Sequence, residues 1–354
     1  MNRKGATLAS PHLEFGVYLN NRGPLLTGGY GLPELLHLAE EAEELGLDHV
    51  WVGDGLLAEP RHDPLALLGA LTQRTSRVRL GTACLRVSLR DPLYLAMAWA
   101  TIDQLSGGRT ILGACGANAV DPAVRREFAV QGLDPRERMG RLEESLHVLR
   151  ELWTKGSVTF HGRHFDYEDV AFSSGTEIAP LGPLQTPPPI WIVSNPHLGG
   201  PDSRVARAAV ARAARRIVRL GDGWLTCCRA GHPEEVAEQI AAIREAAAET
   251  GQDPGRYAVA YQATAILGAS PADADRAVRE FVAAYYPGFG SRVDLTDWGP
   301  VGTPADVAAW IRRFADAGVR RFLFRFGNRD PAEGLRLFVR EVLPAFEAER
   351  GRPA

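Results

Sequence analysis

Cysteine is scarce in this 354-residue sequence, long apolar runs are absent, and neither sign of charge dominates. The four cysteines, at 84, 115, 227 and 228, have no metal-ligand spacing, and the adjacent pair Cys227-Cys228 is a poor disulfide. They read as small buried fillers of a cytoplasmic protein, with a nucleophilic thiol at Cys84 or Cys115 as the alternative. The first apolar run, Leu13 to Leu19, is interrupted by Glu14 and is too short for a secretion signal or a membrane span. A formal charge of -3 gives no reason to expect nucleic acid as a partner. Arginines cluster between Arg204 and Arg219, which fits either a solvated helix face or a phosphate-related role at the helix start. No H-x-x-x-H, H-E-x-x-H, clustered carboxylates, G-x-S-x-G or strand-following G-x-G-x-x-G occurs, so metal hydrolase, serine hydrolase and dinucleotide-fold readings lack support.

What is present is one repeated pattern, clearest from Arg77 to Gly116. Val78 to Gly81 is a short apolar run, and Asp91-Pro92 then opens a helix with an N-cap carboxylate and a first-turn proline. Leu95, Ala98, Trp99, Ile102 and Leu105 recur at helical spacing, Gly107-Gly108 ends the helix, and Thr110 to Leu112 form the next strand. A strand, helix and strand of this length make a right-handed parallel unit. Small residues follow both strands (Gly81, Thr82 and Ala83; Gly113, Ala114 and Gly116) and leave room for a ligand.

The same unit recurs along the chain. Strands are expected at 14–19, 49–52, 78–81, 110–112, 190–193, 223–226, 257–267 and 321–326, each followed by a helix. Helix starts carry Asp-Pro, Ser-Pro, Thr-Pro or His-Pro, and the last helix is expected from Asp330-Pro331 to Glu347. Eight alternating units predict an α/β fold, a TIM-like (β/α)8 barrel in one domain over residues 13–345. An insertion at 158–188 precedes strand five, opening with a hairpin of 158–161 and 163–165 around Gly162. Residues 287–302 form a second excursion, and 1–10 read as a loose tail.

Sites on such barrels gather at the carboxyl ends of the strands. This edge holds Asn20 and Asn21, Asp54, then Thr82, Cys84 and Arg86, then Gly116 and Asn118, then Ser194, Asn195 and His197, and finally Arg325. The Ser194–Gly200 loop supplies hydroxyl, amide and main-chain donors suited to an anion, or it is a glycine loop with an Asp202 cap. Asp54 either contacts a ligand or caps a turn, and His197 is either an acid or incidental. Arg325, inside an apolar strand, needs a ligand or a structural partner. A donor-rich cleft without an evident nucleophile suits an organic cofactor that carries the chemistry itself.

Several segments are similar to the bacterial luciferase-like family of flavin-dependent monooxygenases and its coenzyme F420-dependent members. They are AEEAEELGLDHVWVGD, DPLALLGALTQRTSRVRLGT, DQLSGGRTILGACG, the run from Asp134 to Phe165, PPPIWIVSN, DGW at 222–224 and TPADVAAWIRRFADAGVRRFLFRF. The resemblance implies a barrel with FMN or F420 at the carboxyl ends. Thr82, Ala83 and Cys84 would lie against the ring, with Asp54 nearby, Gly116 and Asn118 at ring or ribityl positions, and Ser194 and Asn195 on the phosphate side. His197 and Arg325 are the expected catalytic groups. Many relatives have Asp-His after strand two, whereas this chain has Asp54-Gly55, and their Gly-Gly-Ser after strand five is Ser194-Asn195-Pro196 here. The leading expectation is an FMN monooxygenase using O2 on a small organic substrate, with a separate flavin reductase as partner. The alternatives are an F420-dependent hydride-transferring oxidoreductase and a non-catalytic flavin-binding homologue. The resemblance also implies a homodimer through helices two and three, with Leu65, Leu68, Met97 and Trp99 as candidates. No membrane partner is expected.

Overall fold

A computed structural model describes residues 12–26, 30–172, 181–197, 204–227, 231–285 and 299–351, with the side chains of 204–206 excluded. The expected tail at 1–10 lies outside the described residues, as does most of the 287–302 excursion. Twelve strands are described: β1 (Glu14–Leu19), β2 (His49–Val52), β3 (Arg79–Thr82), β4 (Leu85–Arg86), β5 (Thr110–Cys115), β6 (Ser157–His161), β7 (Asp166–Ala171), β8 (Ile190–Val193), β9 (Gly223–Thr226), β10 (Ala258–Leu267), β11 (Val301–Gly302) and β12 (Arg321–Phe326). Eight of them pair in parallel in the order β1-β2-β3-β5-β8-β9-β10-β12. The pairing of β12 with β1 closes the ring, with Phe15 opposite Phe322 and Val17 opposite Phe324. This is the TIM-like barrel the sequence predicts.

The helices are α1 (Leu32–Glu44), α2 (Pro64–Arg74), α3 (Pro92–Ser106), α4 (Pro122–Val130), α5 (Arg138–Lys155), α6 (Arg204–Leu220), α7 (Pro233–Glu249), α8 (Pro271–Tyr285), α9 (Pro304–Asp316) and α10 (Pro331–Leu337). The capping reading holds at the Asp-Pro and Thr-Pro starts, whereas His232 before α7 makes no side-chain cap bond because its ring engages Glu234 instead. The Asp63 carboxylate accepts from the N–H groups of Leu65 and Ala66, and Asp91 accepts from Leu93 and Tyr94. Thr303 and Asp306 form a reciprocal capping box.

Strand alternation divides the apolar residues into two sets. Tyr18, Trp51, Ile111, Trp191, Leu225, Ala258, Ala260 and Leu323 fill the barrel interior. Residues such as Phe15, Val17, Val50, Leu112, Phe322 and Phe324 face the helices in a larger core. Gly81 is small for a packing reason: a Cβ there would stand 2.3 Å from the Trp51 ring. At Gly113 a Cβ would meet the Thr82 carbonyl oxygen at 1.9 Å, and at Gly116 the Met139 sulfur at 2.6 Å. Space expected for a ligand at these three glycines is taken by the protein.

The insertion before the fifth barrel strand is confirmed, with its hairpin offset. Its second arm is Asp166–Ala171 rather than 163–165, because the Glu144 carboxylate on α5 accepts from the N–H groups of Arg163, His164 and Phe165 and holds them as the turn. The chain end also departs from expectation. The α-helix stops at Leu337, and a π-helical turn (Phe338–Val342) and a 3-10 turn (Leu343–Phe346) follow. Pro344 has no N–H to donate, so the α-helical hydrogen bond it would make to the carbonyl four residues back is missing there. Of the proposed dimer residues, Leu68 and Trp99 are wholly buried in the core, while Met97 is 41% exposed beside Tyr94 at 73%.

Candidate functional site at the carboxyl end of the barrel

The carboxyl ends of β1, β10 and β12 bring Tyr18, Thr264 and Arg325 to one edge. Arg325 is buried; its Nε and Nη2 donate to the Thr264 hydroxyl at 3.0 and 2.6 Å. The guanidinium also lies 4.6 Å from the Tyr285 ring centre and 5.1 Å from that of Phe281, both on α8. Arg22 stacks on the same Tyr285 ring at 4.9 Å. Arg61, from the loop after β2, donates to Glu59 at 2.6 Å. Burial works against the Arg61 charge, but Tyr18, Tyr285 and Glu59 around it raise its pKa and keep it cationic. Burial likewise pushes the Tyr18 phenol up to about 12, against the opposing field of Arg61, so it remains a donor at neutral pH. The Tyr30 phenol is raised by burial and by Tyr285, and donates to the Asn20 carbonyl at 3.1 Å.

A second set of groups braces the wall formed by the loops after β2, β3 and β5. Glu127 on α4 is fully buried, accepts from the N–H groups of Leu57 and Ala58 at 2.7 and 2.9 Å, and forms a short ion pair with Arg86. Burial pushes the Glu127 carboxyl up, but these N–H donors and the guanidinium outweigh it and hold its pKa below the usual range. Asp54 accepts from the Arg86 N–H and the Arg90 guanidinium, each at 3.0 Å. Asn21 donates to the carbonyls of Gly53 and His62, both at 2.8 Å.

The other expected site residues fall as follows. The Thr82 hydroxyl donates to the Gly113 carbonyl at 3.0 Å and accepts from its N–H at 3.1 Å, fastening β3 to β5. Ala83 donates its N–H to the Val52 carbonyl, and the Ala83-Cys84 peptide is cis. Cys84 and Cys115 are joined as a disulfide with a Cα–Cα distance of 6.0 Å, which corrects the reading of both as fillers. The reason is the short strand β4, which pairs Arg86 with Cys115 and brings Cys84 alongside. Gly116 is buried, and Asn118 is exposed, accepting from the Val120 N–H in a local turn. The Ser194 carbonyl accepts from the Trp224 indole N–H, and the Asn195 side chain accepts from the Thr226 hydroxyl and the Cys227 N–H. His197 is buried, 3.7 Å from Glu238 on α7.

Sequence reasoning thus missed Tyr18, Arg61, Thr264 and Tyr285. Tyr18 and Thr264 carried a usable signal, because both sit near strand ends at inward-facing positions. Arg61 and Tyr285 carried none, since a loop and the end of a helix place them. Two open cavities lie elsewhere. One of about 230 Å³ sits beside Arg244, Arg320 and Arg321 near the amino ends of the strands, and one of about 510 Å³ lies along the arginine face of α6. Among the described residues no group of three or more His, Cys, Asp or Glu side chains could hold a metal ion, and no helix is long and apolar enough to cross a membrane.

Comparison with known proteins agrees with this architecture. A curated relative, F420-dependent glucose-6-phosphate dehydrogenase from Amycolatopsis mediterranei (strain U-32), is 30% identical over 346 residues, covering 90% of this chain and 96% of that one. Among solved structures, monooxygenase RslO1 from Streptomyces bottropensis superposes with a TM-score of 0.75 at 25% identity, covering 94% of this chain and all of that one. An F420-dependent secondary alcohol dehydrogenase, solved with an F420-acetone adduct, has the same fold, with a TM-score of 0.72 at 22% identity over 95% of this chain and 99% of that one. The profile of the luciferase-like monooxygenases matches residues 13–321, and the chain belongs to that family of oxidoreductases using flavin-type cofactors.

Proposed function

We propose that this protein is an F420-dependent oxidoreductase that moves a hydride to or from a small organic substrate at the carboxyl end of the barrel. The observation that carries this reading is end-to-end similarity to proteins of that cofactor class. The Amycolatopsis enzyme and its counterpart from Kineococcus radiotolerans both align over nearly the full chain. This reverses the order of the two leading readings drawn from sequence. FMN-dependent monooxygenation remains the second reading, favoured by the 25% identity to RslO1. In that reading a flavin reductase would be the partner.

The residues at the barrel mouth suit a large cofactor with polar edges. Ser194 Oγ and Asn20 Oδ1 are buried at this end without a hydrogen-bond partner, and each could serve a ring or ribityl group. Asn195 and the 82–84 segment complete the proposed cradle, with Asp54 bracing the Arg86 backbone that follows that segment, while Gly116 packs against Met139 and Asn118 lies in an exposed turn. When bound, the deazaflavin supplies the hydride-accepting or hydride-donating carbon. The chain's own residues do the rest. Arg325 and Arg61 hold an oxygen of the substrate that gains negative charge, and the Tyr18 phenol donates a hydrogen bond there. His197, whose two ring nitrogens are buried without a hydrogen-bond partner among the described residues, holds or accepts the substrate proton. A homodimer through the exposed Tyr94 and Met97 face of α3 belongs to the same proposal.

The test is to add F420 and follow absorbance near about 420 nm while offering sugar phosphates and secondary alcohols. Substrate-dependent bleaching supports the reading. Oxygen consumption with reduced FMN, and none of the F420 change, would favour the second reading instead.

A further inference from the structure

We propose that Cys84 and Cys115 form a reversible dithiol–disulfide couple that sets the rigidity of residues 83–91 at the barrel mouth, and through it the affinity for the cofactor. The cofactor clause rests on the function proposed above; the couple itself does not.

Both cysteines are placed by backbone hydrogen bonds that do not involve sulfur. Leu85 and Arg86 pair with Ala114 and Cys115, and the Ala83 N–H is held by Val52. Further along, the Arg86 N–H is held by Asp54, and Arg141 donates to the Ser88 carbonyl at 2.9 Å. Breaking the sulfur bond therefore leaves the barrel closed. The bridge spans the step from β3 to β4, where Ala83 and Cys84 leave one strand and join the next. There a covalent tie adds stiffness that two adjacent thiols cannot. Reduction replaces a bond by a van der Waals contact, so the sulfurs separate. Cys115 sits in a buried strand and Cys84 in a half-buried loop, so Cys84 and its neighbours yield. These are the residues proposed to lie against the cofactor. A stiff, preformed wall binds a planar ring with less ordering cost than a loose one.

The chemistry balances with small reagents. On oxidation the two thiols lose two protons and two electrons, and hydrogen peroxide takes them and leaves as two waters. A small dithiol reverses the step by exchange and ends as its own cyclic disulfide. Cys84 is the reachable sulfur for that exchange, being less buried than Cys115.

The experiment uses the whole protein. Wild type is oxidised with peroxide, or reduced with a dithiol, and its free thiols are counted under denaturing conditions. Bridged peptides are then mapped by mass spectrometry, and amide hydrogen exchange is compared between the two states. The expected result is a Cys84–Cys115 bridge that a dithiol opens in the folded protein. Exchange across 84–90 should be roughly fivefold or more faster in the reduced state. Cofactor dissociation constants should be roughly threefold or more weaker there. Cys84→Ser and Cys115→Ala should each match the reduced wild type and stop responding to peroxide. A pair that resists oxidation, or that opens only on unfolding, overturns the proposal. So does equal exchange in the two states, while equal affinity overturns its cofactor clause. If neither F420 nor FMN binds in either state, the proposed function falls, and the exchange comparison still decides the switch.

Discussion

Arg325 concentrates the functional reading into one side chain. Its charge rests on the Thr264 hydroxyl and on two aromatic faces rather than in open solvent. Arg325→Ala is expected to lower kcat/KM by roughly a hundredfold while far-UV dichroism stays unchanged. Arg325→Lys should recover little, because a point charge cannot reproduce the planar contacts. Steady-state kinetics on both variants checks this. His49 yields a prediction about pH. It is buried inside the barrel and accepts the Trp51 indole N–H at 2.7 Å, and burial pushes its pKa down to about 4. The unfolded chain therefore binds a proton below about 6.5 that the folded chain refuses until about 4. Stability should rise with pH across that window, by about one proton's worth of slope from this residue. Urea midpoints measured between those limits, in wild type and His49→Gln, should show that slope weakened in the variant. Asp54 and Thr82 illustrate what single residues could and could not disclose. Their position at strand ends was legible, but both polar groups turn toward neighbouring backbone, which no spacing rule reveals.

Among the elements, the helix starts were the most legible, because an N-cap carboxylate and a first-turn proline act over three residues. Asp63, Asp91, Asp121 and Asp330 all cap the helices they precede. Pairings set by distant contacts were not legible. The turn of the insertion hairpin depends on Glu144, and the join of β4 to β5 depends on Arg86 held by Asp54 and Glu127. Glu127 is the element-scale keystone of the mouth wall, tying α4 to the loop at 57–58 and to Arg86. Glu127→Ala leaves that guanidinium short of its buried partner, and we expect a loss of about 3 kcal/mol in unfolding free energy, with faster hydrogen exchange at 56–58. Glu43 gives a milder case at the start of β3. Burial raises its carboxyl, but the N–H groups of Val78, Ser76 and Arg77 overcome this and hold it at about 2. That contribution is complete above the unfolded value near about 4.3 and is lost as pH falls through about 2. Glu43→Gln should therefore cost stability at neutral pH, and the gap to wild type should close in acid denaturation curves.

At the scale of the whole molecule, eight parallel units close into a ring because each strand buries both faces, one in the barrel interior and one under helices. Closure is what brings Tyr18, Arg61, Thr264, Tyr285 and Arg325 to one mouth from positions up to the far end of the chain. That convergence explains why the fold was readable from periodicity while half of the site was not: periodicity reports which way a strand residue faces, not what a loop or a helix end carries over it. Arg61, Tyr285 and Arg325 give this mouth a cationic and aromatic polar lining, with Gly55 beside Asp54 after the second strand. The proposed function requires a deazaflavin at this mouth. The most direct measurement is equilibrium titration of the purified protein with F420 and, separately, FMN, followed by cofactor fluorescence. The expected result is saturable F420 binding that is retained in Arg325→Ala and is not displaced by equimolar FMN. Saturable binding of FMN with none of F420, or binding of neither, would contradict it.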